Sequence, residues 1–324
     1  MKEKGIFWVD DDMKYMHQGN WQRPVTHESF FLSAKLAWMV DNGIDKEVLL
    51  NLSQLYCNGY SRQDAYDVIR FQNDYNASIQ HECPEKFISG FVVQPLYIED
   101  AQKEIIRCVE EYKLSLLCLP SHFLNKEGRW TAIADKSVIP VFELANHYKL
   151  AVEIHPYNAE EMIALEDKFW RFHLIWMCAQ TADAWHFYSL LDFPDRFSDV
   201  RVCFAHGNQF GQVGYGRRVQ GFKGRPDLFP SAQNPEKTVQ CTNVYFDSIV
   251  HDVLSFELLT KRAGVSQIIA GIDDPYPLGE MDTVPDCYPG KVIDEAVQYN
   301  VITSADRDLI WSENVTTWLF GKSK

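Results

Sequence analysis

The sequence predicts an α/β fold in which eight parallel strands alternate with helices, a (β/α)8 TIM barrel. Three observations predict it. Eight short apolar runs recur along the 324 residues, each bounded by turn or polar residues. Segments with helical spacing lie between most of those runs. No glycine-rich phosphate loop follows an early run, which disfavours the alternative, an open doubly wound sheet.

The elements follow in order. The runs are Ile6–Val9, Glu47–Asn51, Phe87–Val93, Leu114–Leu119, Leu150–Ile154, Val200–Ala205, Asn243–Phe246 and Gln267–Ala270. Each is short and largely apolar, as strands buried on both faces are. Helical spacing predicts helices over Ser29–Asn42, Arg62–His81, Ile98–Tyr112, Ile139–Tyr148 and Val253–Ala263. No linker, low-complexity segment or internal repeat divides the chain, so residues 1–324 read as a single domain.

Composition narrows the function. The chain is 46% apolar and 14% aromatic, too rich in core-forming side chains for disorder. Apolar runs such as Leu114–Leu119 and Ile139–Leu144 are far shorter than a membrane span. With 31 basic and 45 acidic side chains the formal charge is −14. An acidic chain without basic tracts repels phosphate, so no nucleic-acid partner is expected. A small anionic substrate needs local cations, and Arg217, Arg218, Lys223 and Arg225 fall in one short stretch read as a loop. Eight cysteines without a CxxC pair read as reduced, buried thiols of a cytoplasmic protein. No apolar signal core follows Met1–Gly5.

A barrel carries its chemistry at the C-terminal ends of its strands. The residues closing the runs are Asn51, Gln94, Ser121 with His122, His155, His206, Asp247 and Asp273. Two histidines and an aspartate from separate strands are what a metal or acid–base site requires. Asp, Asn and Ser also cap helices at such positions, whereas histidine is a poor cap. His155 and His206 therefore carry the functional reading.

The motifs around these residues form a longer series. Val202–Gly207 is followed by Gly216–Arg217, Gly221–Phe222, Arg225–Leu228, Tyr245–Asp252 and Gly271–Glu280, with Ile154–Tyr157 upstream. In this order and spacing the chain resembles the amidohydrolase superfamily, and within it the aminocarboxymuconate semialdehyde decarboxylase family. The resemblance implies a distorted barrel of the amidohydrolase type with a mononuclear metal, usually zinc. His155 matches the metal ligand after strand five, Asp273 the ligand after strand eight, and His206 the acid–base histidine after strand six. Arg225 matches an arginine that reaches the substrate carboxylate of a neighbouring subunit, so a homodimer is implied.

The sequence also departs from that pattern. The metal-binding His-x-His of the first strand is absent, since neither His17 nor His27 has a histidine two residues away. Two readings stay open. In one, Ile6–Val9 is the first barrel strand, and Asp10 and Asp12 supply oxygen ligands at a spacing that points both side chains the same way. Such a carboxylate-rich site suits Mn²⁺ better than zinc. In the other, Gly5–Gly19 is a hairpin that family members insert after the first strand, and the barrel is a strand short. Elsewhere the family's carboxylate-holding arginine is matched by Lys35 or by nothing, Gln220 replaces a loop histidine, and Asp274 replaces a tyrosine. Lysine does not reproduce the bidentate fork of arginine.

The expected activity is a lyase, the non-oxidative decarboxylation of a small unsaturated or aromatic carboxylic acid. His206 and Asp273 are its candidate catalytic residues. Arg217, Arg225, Trp185 and His251 are candidate substrate contacts. His155, Asp273, Asp10 and Asp12 are candidate ligands for a zinc or manganese ion. Alternatives are a hydrolase, hydratase, cyclase or isomerase on the same barrel, with an atypical metal or none, and a non-catalytic paralogue. The aromatic stretch from Phe169 to Tyr188 reads first as core or interface.

Overall fold

The structure is a computed structural model, and it describes residues 2–19, 21–156, 168–239 and 241–322. The chain forms two compact units, Met1–Glu47 with Ile272–Pro289, and Val48–Gly271 with Gly290–Lys324.

In the first unit, strands β1 (Trp8–Val9), β2 (Tyr15–Gln18) and β3 (Trp21–Pro24) form a three-stranded antiparallel sheet. Its hairpins are local. Met13 takes a left-handed φ of 57°, and Asp10 N donates to Tyr15 O at 2.9 Å. Gly5 and Gly19, both at positive φ, close the segment through a 2.8 Å bond from Gly19 N to Gly5 O. The expectation that Ile6–Val9 is the first strand of a parallel barrel is therefore corrected. A chain that turns back within a few residues finds an antiparallel partner beside it, whereas parallel pairing needs a long crossover. The same unit holds helix Leu32–Asp41 and the loop that follows Gly271. Arg23 stacks over the Tyr276 ring, 4.3 Å from its centroid, and ties the hairpin to that loop.

The second unit is built on a seven-stranded sheet. Its strands are β4 (Glu47–Leu49), β5 (Phe87–Val92), β6 (Leu116–Pro120), β9 (Ala151–His155), β10 (Arg201–Phe204), β11 (Val244–Asp247) and β12 (Ile268–Ile269). A small antiparallel pair, β7 (His122–Leu124) and β8 (Trp130–Ala132), is inserted after β6. The spatial order of the seven follows their chain order, and pairings from β5 through β12 are parallel. Seven of the eight apolar runs thus lie in one sheet, each next to its successor, as repeated β–helix–β units require.

The five helices that periodicity predicts form where it places them. Arg62–Glu82 starts at Ser61, whose hydroxyl accepts the Asp64 amide, and Val253–Ala263 starts at Asp252, whose carboxylate accepts the Ser255 amide. The main core lies between helices and sheet. Phe142, Tyr188, Phe193, Phe197, Phe204 and Phe246 interlock there, with Phe142 and Phe193 edge-on at 5.1 Å. The eight cysteines are free thiols. Among the described residues no helix is long and apolar enough to cross a membrane.

Candidate active site at the strand ends

Register decides which strand ends meet. Ile154 of β9 pairs with Phe204 of β10, and Phe204 pairs with Phe246 of β11. His155, His206 and Asp247 therefore leave three adjacent parallel strands at their C-terminal ends. The rings of His155 and His206 pack edge-to-face, with centroids 5.0 Å apart.

Asp247 organises this corner through the main chain. One carboxylate oxygen accepts the His206 amide at 2.8 Å, and the other accepts the amides of Gly207 at 2.9 Å and Ile249 at 3.0 Å. The chain needs that help, because His206, Gly207 and Asn208 all adopt left-handed φ, at 58°, 57° and 47°. Histidine and asparagine do so only where the surroundings over-determine the backbone. Gly207 is required twice over, since a Cβ there would also lie 2.4 Å from Val250 Cγ1. Burial raises the Asp247 carboxyl above its ordinary range, and the three amides and nearby His155 pull the other way.

Both histidines are neutral. Burial, then the proximity of His206, pushes His155 down to about 3. Burial, then His251, pushes His206 down to about 4. The His155 Nδ1 lies 2.7 Å from the Pro156 carbonyl oxygen. A carbonyl only accepts, so Nδ1 carries the proton and Nε2 keeps a lone pair. That is the tautomer of a metal-binding histidine with its second nitrogen anchored. The Nδ1 of His206 is buried and has no hydrogen-bond partner among the described residues. A neutral histidine with a free lone pair, beside a buried and unpartnered ring nitrogen, is chemistry that fits a cation or a polar substrate atom. Among the described residues no three His, Cys, Asp or Glu side chains form a ready-made metal cluster.

Other strand ends serve the scaffold. Asn51 donates to Gln72, and Gln94 donates to the Tyr56 carbonyl. His122 is held between Ser121 Oγ and Asp183 at 3.0 and 2.8 Å. Ser248 exchanges two 3.1 Å hydrogen bonds with Gly271 and so fixes the chain as it leaves β12.

The remaining candidates are placed as follows. His251 is exposed, with a left-handed φ of 63°, and is close enough for its charge to oppose protonation of His206. Trp185 is buried in the helix–sheet core, covered by the Arg218 guanidinium 4.1 Å from its ring. That burial matches the core reading of the aromatic stretch. The cationic stretch is no loop, because Gln209–Gly224 is a helix. Its charges are dispersed: Lys223 pairs with Glu236, Arg218 reaches Ser189, and Arg217 is exposed. Arg225 is exposed, and its fork grips Asp227 through bonds of 2.9 and 2.7 Å. Tyr157 lies outside the described residues.

In the first unit, Asp10 bonds His17 at 2.9 Å and Asp12 pairs with Lys14 at 2.8 Å. Asp10 follows β1 and Asp12 lies in the hairpin turn, so their expected ligand geometry on a barrel strand does not arise. Asp273 lies just beyond β12, with φ 51°. Lys35 is ion-paired with Glu47 and Asp274.

Comparison with known proteins agrees with this architecture. The sequence model of the amidohydrolase family matches residues 57–297. The chain is 27% identical over 316 residues, 94% of its length and 83% of the relative's, to 2-amino-3-carboxymuconate-6-semialdehyde decarboxylase of Dictyostelium discoideum. Its fold is similar to that of 5-carboxyvanillate decarboxylase from Sphingomonas paucimobilis, with a TM-score of 0.73, 19% identity, and coverage of 88% of this chain and 82% of the other. It is also similar to a dihydroxybenzoic acid decarboxylase from Polaromonas, solved with manganese and 2-nitroresorcinol, with a TM-score of 0.72, 15% identity, and coverage of 92% and 87%. The two structures speak to the fold; the family match runs through the segment that carries His155, His206 and Asp273. On that match the chain belongs to the amidohydrolase family.

Proposed function

We propose that this protein is a carboxy-lyase that removes CO2, without oxidation, from a small unsaturated or aromatic carboxylic acid, with His206 as its acid–base group. The observation that carries the reading is the half-buried His155–His206 pair at the ends of β9 and β10, with Asp247 holding the main chain at His206. The decarboxylase names of its relatives support it.

In such a reaction the bond to the carboxylate carbon breaks and its electron pair stays on the substrate carbon. That carbon then takes a proton, so one proton is consumed per CO2 released. The His206 ring, neutral and with a buried nitrogen free, accepts a proton and hands it to the carbon. The backbone clamp at Asp247 fixes the main chain from which the ring projects.

His155 and Asp273 are the residues that would hold a divalent cation, zinc or manganese, as the resemblance gives them. Water and substrate oxygens would complete its shell. When bound, such a cation polarises the substrate carboxylate and eases the charge left on carbon. Arg217 and Arg225 would hold the carboxylate as charge-assisted pairs, Arg225 across a homodimer after releasing Asp227. A closed eight-stranded barrel acting as one domain belongs to this reading. So does a cytoplasmic setting, where eight free thiols stay reduced.

The test is CO2 release from carboxyl-labelled probes taken from the relatives: 2-amino-3-carboxymuconate-6-semialdehyde, 5-carboxyvanillate and dihydroxybenzoate. One CO2 per substrate consumed supports the reading. Consumption without CO2 moves the protein to the hydrolase or isomerase alternatives.

A further inference from the structure

Two departures from the family pattern meet in space. Lys35 is the candidate counterpart of the family's carboxylate-holding arginine, and Asp274 stands where the resemblance places a tyrosine. The Lys35 ammonium is ion-paired with Asp274 and lies 2.7 Å from Glu47 Oε2. All three side chains are buried, none more than 10% exposed. The Trp38 ring covers the ammonium, 4.7 Å from its centroid. A buried cation already paired with Asp274 and bonded to Glu47 has no charge left for a substrate anion.

The neighbouring residue explains what the contact does. Asp273 has a left-handed φ of 51°, a conformation that a non-glycine residue keeps only where its surroundings impose it. Tyr276 N donates to Asp273 O at 3.1 Å, and Glu280 N donates to Ile272 O at 2.8 Å. Gly279 backs directly onto the same peptide, where a Cβ would lie 2.4 Å from Asp273 O and 2.7 Å from Ile272 O. Gly279 N also donates to Tyr276 O at 2.8 Å, and the ion pair at Asp274 adds a buried side-chain hold on the turn.

We propose that Lys35 is a positioning residue: through Asp274 it fixes the backbone at Asp273, and with it the direction of the Asp273 carboxylate. It is not a substrate clamp. The proposal rests on the reading of Asp273 as a ligand of a divalent cation. Second-layer groups of this kind commonly change metal affinity by about 10–100-fold when removed.

The experiment titrates the metal-stripped full chain with Mn²⁺ by calorimetry, records its melting temperature without metal, and measures KM and kcat after reloading. Lys35→Met and Gly279→Ala are each expected to weaken Mn²⁺ binding by about tenfold or more, and Lys35→Arg to restore most of it. Should Lys35→Met not fold, Asp274→Asn takes its place with the same expectation. A folded Lys35→Met protein with wild-type Mn²⁺ affinity overturns the proposal. A raised KM with unchanged Mn²⁺ affinity does too, since it makes Lys35 a clamp. Failure of the wild-type chain to bind Mn²⁺ overturns both this proposal and the metal reading beneath it, which separates the two failures.

Discussion

Asp247 holds His206 by its main chain, through a 2.8 Å bond from the amide to the carboxylate, and leaves the imidazole free. The aspartate most intimate with the candidate acid–base group therefore sets its place rather than its proton affinity. The direct dependence is geometric, and it makes Asp247 a residue whose loss disturbs fold and activity together.

Replacing Asp247 by alanine leaves three part-buried amides, those of His206, Gly207 and Ile249, without their acceptor. A loss of about 3 kcal/mol or more is expected, given roughly 1–3 kcal/mol for each buried group left unpaired. Urea denaturation measures it. Wild-type stability in Asp247→Ala would show that the clamp carries no weight.

Gly207→Ala tests the same corner without touching a charge. The new methyl meets Val250 and the residue must stay at φ 57°. Overpacking and strain together are expected to cost about 2 kcal/mol. Thermal melting checks this, and an unchanged midpoint contradicts it.

Glu47 gives a pH signature in the first unit. Burial, then the Asp274 charge, raises its carboxyl to about 7 against the pull of Lys35. A carboxyl whose folded value lies above its unfolded one stabilises the fold when protonated. Its contribution is full below the unfolded value near 4.5 and is lost as pH rises through about 7. Glu47→Gln is expected to flatten that part of the stability–pH curve. An identical slope in both proteins rules out Glu47 as its source.

Arg225 is surface-exposed and bound to its near neighbour Asp227. Arg225→Ala is expected to leave the melting temperature unchanged and to raise KM for a carboxylate substrate by about tenfold, the worth of one charged hydrogen bond. Steady-state kinetics decides. An unchanged KM removes Arg225 from substrate binding.

Much of this was legible in the sequence, and the failures have causes. Seven apolar runs became strands of one sheet because continuous apolar character reports burial directly. Trp8–Val9 has strand character too, but periodicity names no partner, and the short turn after it chose an antiparallel one. Helix Gln209–Gly224 was hidden by five glycines, which read as loop although the helix forms. His155 and His206 could be found because histidine is a poor reason to end a strand. The role of Asp247 could not, since its partners are backbone amides that every residue carries. The Lys35–Asp274 contact joins positions 239 residues apart, a distance at which a single sequence shows two unrelated substitutions.

The central claim is that His206 moves the proton in a decarboxylation. The most direct measurement is release of labelled CO2 by the wild-type protein and by His206→Ala, with circular dichroism confirming that the variant folds. The account expects the wild type to release one CO2 per substrate and the variant to lose at least about a hundredfold in rate, the worth of a general acid–base group. Full activity in a folded His206→Ala protein would contradict it.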